Sequence, residues 1–269
     1  MGKDIVVKGN GFRTRDVFLK EMDELFENEE ELFYEYTTLK GISKNLFDRK
    51  LEELKKLNLQ KASNPKERGE LSAKKGAALE KLVEILIKGT AILKAVCNVG
   101  TATNEVDLVI STSFKGESLK SLLIEKGVDI ERLVTNAPGI IGFNDYFLAE
   151  CKNYNKNVPA TWVGKFYTLM QVCGKCNVGI IFSNKGLSGK KTSWTDAHGL
   201  TKILRCISEN KSSIIDFNIN DFERISKGEN FFRILNSKML ELSIGADFSK
   251  YQIPHKNKEE LDLKFKELY

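Results

Sequence analysis

No apolar run in these 269 residues approaches the roughly 20 needed to span a bilayer, so a membrane protein is not expected. The first residues, with Lys3, Asp4 and Lys8 around a few apolar side chains, lack a signal-peptide core. Histidine is scarce: only His198 and His255 occur. The one close cysteine pair, Cys173 and Cys176, has no second pair of similar spacing, so a four-ligand structural zinc is not expected. Five cysteines, an odd number in mostly apolar surroundings, read as reduced thiols and not as a disulfide framework. The run from Lys185 to Lys191, rich in glycine and lysine, lacks the G-x-x-x-x-G-K-[ST] register, which argues against a nucleotide-binding P-loop. No internal repeat is visible. These absences leave a cytoplasmic protein with no membrane partner as the expectation.

What is present is ordinary globular material, 41% hydrophobic and 29% charged, in a chain long enough to bury a substantial core. The formal net charge of +5 is unevenly spread. Residues 1–70 hold 14 Lys+Arg against 15 Asp+Glu, and the remainder holds 28 against 22. A mild basic excess in the second part fits a polyanionic partner.

Apolar spacing predicts three opening helices: Phe18, Met22, Leu25 and Phe26; Leu32, Phe33, Tyr36 and Leu39; Phe47, Leu51, Leu54 and Leu57, with Ser43 as N-cap of the third. Lys61–Glu70, with Pro65 and Gly69, reads as a boundary. Residues 1–68 therefore form an expected helical accessory module, for DNA binding or dimerisation. A helix over Gly76–Ile87 follows, then strands over Ala91–Val99 and Glu105–Ser111, and an insertion over 112–145. A strand over Tyr146–Asn153, a helix over Ala160–Val172, a strand over Val178–Ser183, a helix over Ser193–Ile207 and a strand near Ile214–Ile219 complete the body. Residues 69–250 make the second expected domain, and 251–269 a charged tail or helix. This order is an α/β layout, a mixed central sheet flanked by helices.

The chemistry concentrates in two strand-like runs, Asn104-Glu105-Val106-Asp107-Leu108-Val109-Ile110 and Phe147-Leu148-Ala149-Glu150-Cys151-Lys152-Asn153-Tyr154. Side chains alternate along a strand, so Glu150 and Lys152 share a face opposite Ala149 and Cys151. Asp107 lies on the other face of its strand from Val106 and Leu108. If the strands pair, two carboxylates and an ammonium meet. Such oxygen ligands suit Mg²⁺, which takes one or two protein carboxylates, waters and phosphate oxygens. A lysine beside them could orient or deprotonate the attacking water, or neutralise charge on the phosphate. The expected function is a metal-dependent nuclease.

From Gly76 to about Ile225 the chain resembles the PD-(D/E)XK nucleases, in the branch of Mrr-like restriction endonucleases. The resemblance rests on Gly76-Ala77-Ala78-Leu79-Glu80, Glu105-Val106-Asp107-Leu108-Val109 and Leu148-Ala149-Glu150-Cys151-Lys152, and further on Gly179 to Ser188, Asp196-Ala197 and the late strand Ile214-Ile215-Asp216-Phe217. It implies a restriction-endonuclease-like fold and Mg²⁺-dependent hydrolysis of nucleic-acid phosphodiesters. By position, Asp107 and Glu150 would ligate the metal, Lys152 would assist the water, and Glu80 would be an auxiliary acid. Val106 stands where many members carry proline, and the stretch from Asp107 to Glu150 is longer than the usual connection.

The resulting expectation is a cytoplasmic Mg²⁺-dependent endonuclease (Mn²⁺ as substitute) acting on double-stranded DNA in restriction or defence, as a homodimer with two related sites. Lys185, Lys190 and Lys191 would contact the nucleic-acid backbone. The alternative is a nuclease-fold protein that binds nucleic acid or a partner without cutting it; among enzymes, an RNase or a structure-selective nuclease is the other option. Trp162, Phe166, Tyr167 and His198 read as structural.

Overall fold

The computed structural model describes residues 5–8, 11–14, 34, 37–90, 93–100, 105–112, 146–174, 176–208 and 212–244. The first two expected helices, the insertion between 113 and 145 and the segment 251–269 fall outside these, apart from a few residues near Leu39. Within the stretch expected to be a helical module, strands β1 (Ile5–Lys8) and β2 (Gly11–Thr14) pair antiparallel.

Helices α1 (Gly41–Leu59) and α2 (Pro65–Gly89) come next. The α1 start corrects the expected Ser43 cap: Lys40 holds that position, and no side chain caps it. Gly41 turns the chain at φ +54°, a conformation glycine adopts freely, and so begins the helix three residues earlier. Asn64 caps α2 by accepting the Glu67 N–H, and Pro65 occupies the first turn, where its missing N–H costs nothing. The stretch expected to be a boundary is thus helical from Pro65 onward.

Strands β3 (Leu93–Gly100), β4 (Glu105–Thr112), β5 (Phe147–Lys152), β6 (Val178–Ser183) and β7 (Ser213–Phe217) form one sheet in that order. β3–β4 and β4–β5 are antiparallel, whereas β5–β6 and β6–β7 are parallel. Between β5 and β6 lies α3 (Ala160–Leu169), continued as one π-turn over Met170–Gly174. Helix α4 (Asp196–Ile207) joins β6 to β7, and α5 (Ile219–Ser226) and α6 (Phe231–Ile244) follow. β6 is buried at every position, as a continuous apolar run between parallel neighbours should be.

One face of the sheet, with Phe147, Ala149, Ile180, Phe182, Ile215 and Phe217, shares a core with α1, α2, α5 and α6. Phe222 of α5 lies 5.3 Å from the Phe217 ring, 6.0 Å from Phe182 and 6.3 Å from Phe47 of α1. A polar knot joins the residues before α1 to those before α6: buried Asn230 donates to Tyr34 O (2.9 Å) and to the Thr37 hydroxyl (2.8 Å). The opposite face, with Leu148, Ile181 and Ile214, packs on α3 and α4. There α3 sits very close to β6. A Cβ on Gly179 would fall 2.5 Å from Met170 Sδ and 2.6 Å from Phe166 Cε1, so only glycine fits. The architecture is mixed α/β, and among the described residues no helix is long and apolar enough to cross a membrane.

Candidate active site

β4 and β5 are paired through Leu108–Ala149, Val109–Leu148 and Ile110–Phe147. At the next position the ladder gives way to a side chain: Asp107 Oδ2 accepts the Cys151 N–H at 2.7 Å. Satisfying a backbone donor in this way holds the carboxylate rigidly at the point where the ladder ends. Opposite on β3, Asn98 adopts φ +53°. The strand turns here, and Val106 joins the core beneath α3 and α4 while Leu108 joins the other one, contrary to the shared face expected for them.

Asp107, Glu150 and Lys152 do converge. Lys152 Nζ pairs with Glu150 Oε1 and lies 3.8 Å from Asp107 Oδ2. All three are largely buried, with side-chain exposures of 20%, 14% and 14% respectively. Burial raises the Glu150 pKa, the neighbouring Asp107 charge adds to the rise, and Lys152 only partly offsets it. For Lys152, burial works against the ammonium, but its hydrogen bond to Glu150 and the two carboxylate charges prevail and hold its pKa above the ordinary lysine value. The cluster therefore presents a fixed positive charge beside a carboxylate that ionises reluctantly.

Glu80 is half-buried on α2, and its charge is felt at both Glu150 and Cys151. Among the described residues no group of three or more His, Cys, Asp or Glu side chains is assembled as a metal site. Asp107 and Glu150 remain a pair of hard oxygen donors, within the one or two carboxylates that Mg²⁺ usually takes.

Three supports of this cluster lie outside the site residues expected from the sequence. Trp162, expected to be core, is half-buried with Lys152 Nζ 4.5 Å from its ring centroid and Lys165 Nζ at 4.7 Å. Asn153, the residue after Lys152, donates to Lys75 O at 2.7 Å and so ties β5 to α2. Lys75 is itself 5% exposed, and its ammonium donates to Asn58 O (3.3 Å) and Gln60 O (3.2 Å) at the end of α1. A cation suits that end of the helix dipole. Only Asn153 carries any sequence signal, its adjacency to the Glu-x-Lys pattern.

The basic loop leaves β6 beside this region. Asn157 donates to Lys185 O (2.8 Å) and Leu187 O (3.2 Å), and Val158 bridges Leu187, so the loop backbone is pinned to the segment between β5 and α3. Lys185 and Lys190 point into solvent, whereas exposed Lys191 lies 3.6 Å from Glu241 of α6. Lys191 also borders a pocket of about 60 Å³ with His198, Lys202, Asp216, Lys238 and Glu241. Burial depresses the His198 pKa against the pull of Asp216. Compared with family models, with curated proteins and with solved structures, the chain gave no match.

Proposed function

We propose that this protein is a Mg²⁺-dependent endonuclease with a restriction-endonuclease-like fold, cutting DNA in the cytoplasm as part of restriction or defence. The observation that carries the reading is the convergence of Asp107, Glu150 and Lys152 on one sheet face where the β4–β5 ladder ends. Two carboxylates and a lysine held together in partial burial are costly to maintain unless the charges are used. The mixed sheet around them, with helices on both faces, is the α/β architecture expected of such a fold.

The donor set fits a hard divalent cation. Asp107 and Glu150 would hold it, with Glu80 as the nearby third acid, and the raised Glu150 pKa marks a carboxylate that a cation would relieve. When bound, the metal supplies polarisation of the scissile phosphate and acidification of a water. Lys152, its pKa held above the ordinary lysine value by Glu150 and Asp107, would donate a hydrogen bond and bring its charge toward a phosphate or water oxygen. Asp107 is fixed by the Cys151 N–H and keeps its other oxygen for coordination. Lys185 and Lys190 would track the phosphate backbone, and Lys191 would join them on leaving Glu241. Two copies related by a two-fold axis would cut both strands of a duplex.

Incubation of the full chain with plasmid DNA in Mg²⁺ or Mn²⁺, with EDTA as control, tests this reading. Metal-dependent nicking or linearisation is expected, together with its loss in Asp107→Ala. Binding without cleavage in either metal would place the protein with non-cutting nuclease-fold proteins. Cleavage confined to RNA or branched DNA would change the substrate class and keep the chemistry.

A further inference from the structure

The contact between Lys152 and Trp162 goes beyond a charged site on a sheet. Lysine is a flexible four-carbon stem carrying a strongly hydrated charge, and nothing in a strand by itself fixes where its ammonium sits. Here Nζ is held by Glu150 and, 4.5 Å away, by the indole ring of Trp162. Indole is the best aromatic partner for a cation, through the negative potential over its ring face. The backbone that carries the ring is held close to β6, because Phe166 of α3 and Met170 of the π-turn after it lie against Gly179 with no room for a Cβ. Tyr154 closes in at 6.3 Å between ring centroids. A chain of contacts therefore runs from β6 through α3 and the indole to the ammonium.

We propose that Trp162 is the positioning residue for Lys152, fixing its ammonium beside Asp107 and Glu150 through the electrons of the indole face. This inference rests on the nuclease reading for its catalytic consequence but not for the contact itself. A merely structural tryptophan would depend on ring size; a positioning one depends on ring electrons.

The chain has only two tryptophans, so Trp194→Phe leaves Trp162 as the sole one; Trp194 is 57% exposed and outside the site. In that background, biosynthetic replacement by mono- and multiply fluorinated tryptophan drains the ring while keeping its shape. Single-turnover cleavage of plasmid DNA in Mg²⁺ should fall stepwise with fluorination, reaching about 5- to 30-fold for the most fluorinated ring, at unchanged DNA affinity. A rate indifferent to fluorination overturns the proposal. The second readout needs no activity: in ¹³C-lysine-labelled protein, the Lys152 ε-methylene should be ordered and shifted upfield by the ring. Trp162→Leu should return it to the position and mobility of a free lysine. A Lys152 that is unshifted in the parent, or equally ordered in Trp162→Leu, overturns the proposal whether or not the protein cuts. A parent that cuts nothing, while Trp162→Leu releases Lys152, sinks the nuclease reading and leaves the positioning role standing.

Discussion

The two faces of the five-stranded sheet bury different things. Beneath α1, α2, α5 and α6 the contents are apolar, with Phe47, Phe182, Phe217, Phe222, Phe231 and Phe232 all but inaccessible to solvent. Beneath α3 and α4 the apolar set is smaller, and the same face carries Asp107, Glu150 and Lys152, with Asp216 level with Glu150 across Ile181. Burying each large apolar side chain stabilises by roughly 1.5–3 kcal/mol, whereas burying charges returns little net stability even when they are paired. The first face holds the sheet together, and the second uses that rigidity to keep like charges close. Changes on one face should cost folding, and changes on the other should cost chemistry.

Deletion of residues 1–69 tests the first half of that division most severely. It removes α1 and the start of α2, and with them the buried side chains Leu39, Phe47, Leu51 and Leu54, leaving Phe222 uncovered. At roughly 1.5–3 kcal/mol each, the four are comparable to the whole net stability of a typical domain, about 5–15 kcal/mol. The truncated chain should therefore be unfolded or aggregated by circular dichroism and gel filtration. A monodisperse, cooperatively melting truncation would show instead that the sheet stands without its N-terminal helices.

On the charged face, Asp107→Ala, Glu150→Ala and Lys152→Ala should each reduce cleavage by about 10²–10⁴-fold while melting cooperatively. Calorimetric titration with Mn²⁺ should show weakened binding for the two carboxylate variants and near-normal binding for Lys152→Ala. Three variants that cut like the parent would end the catalytic assignment.

A smaller effect is expected at the basic loop. Changing Lys185, Lys190 and Lys191 together to alanine should lower the slope of log affinity against log salt by about 0.9 for each phosphate that a lysine no longer neutralises. Because Lys191 is paired with Glu241, the slope should change by an amount nearer two phosphates than three. An unchanged slope would remove the loop from the substrate path.

The smallest predicted effect is a pH trend in metal-free buffer. A glutamate whose folded pKa is raised contributes stability below its ordinary value and loses that contribution as pH rises through the raised one. Glu150→Gln cannot ionise, so the Tm difference, variant minus parent, should move in the variant's favour as pH climbs through that window. A flat difference would mean that Glu150 ionises as freely in the fold as in the unfolded chain.

Much of this organisation is legible in the sequence because it is written locally. The β6 run Val178–Ser183 is expected at its observed bounds, since a fully apolar stretch flanked by turn residues has few other uses. Alternation along β5 puts Glu150 and Lys152 on one face without any knowledge of neighbours, and the structure brings Asp107 to them. The α1 start and the helical second half of Lys61–Glu70 escape the sequence because a glycine turn and a proline at a first helical position resemble breakers until the cap is seen. The division of Val106 and Leu108 between two cores is hidden as well, because strand periodicity assumes an even twist that fails where the β4–β5 ladder ends at Asp107.

By itself, the sequence determined that Glu150 and Lys152 share a strand face, that Val178–Ser183 is a buried strand, and that two acids and a lysine lie in apolar strands. Only the tertiary structure decided that Trp162 lies beside Lys152, that Asn153 and Lys75 tie the site to two helices, and that Asn230 bonds Tyr34. The reason is range. Periodicity and capping act over a few residues, whereas these contacts join positions 10 to 196 apart and exist only once the sheet has set the helices at their distances.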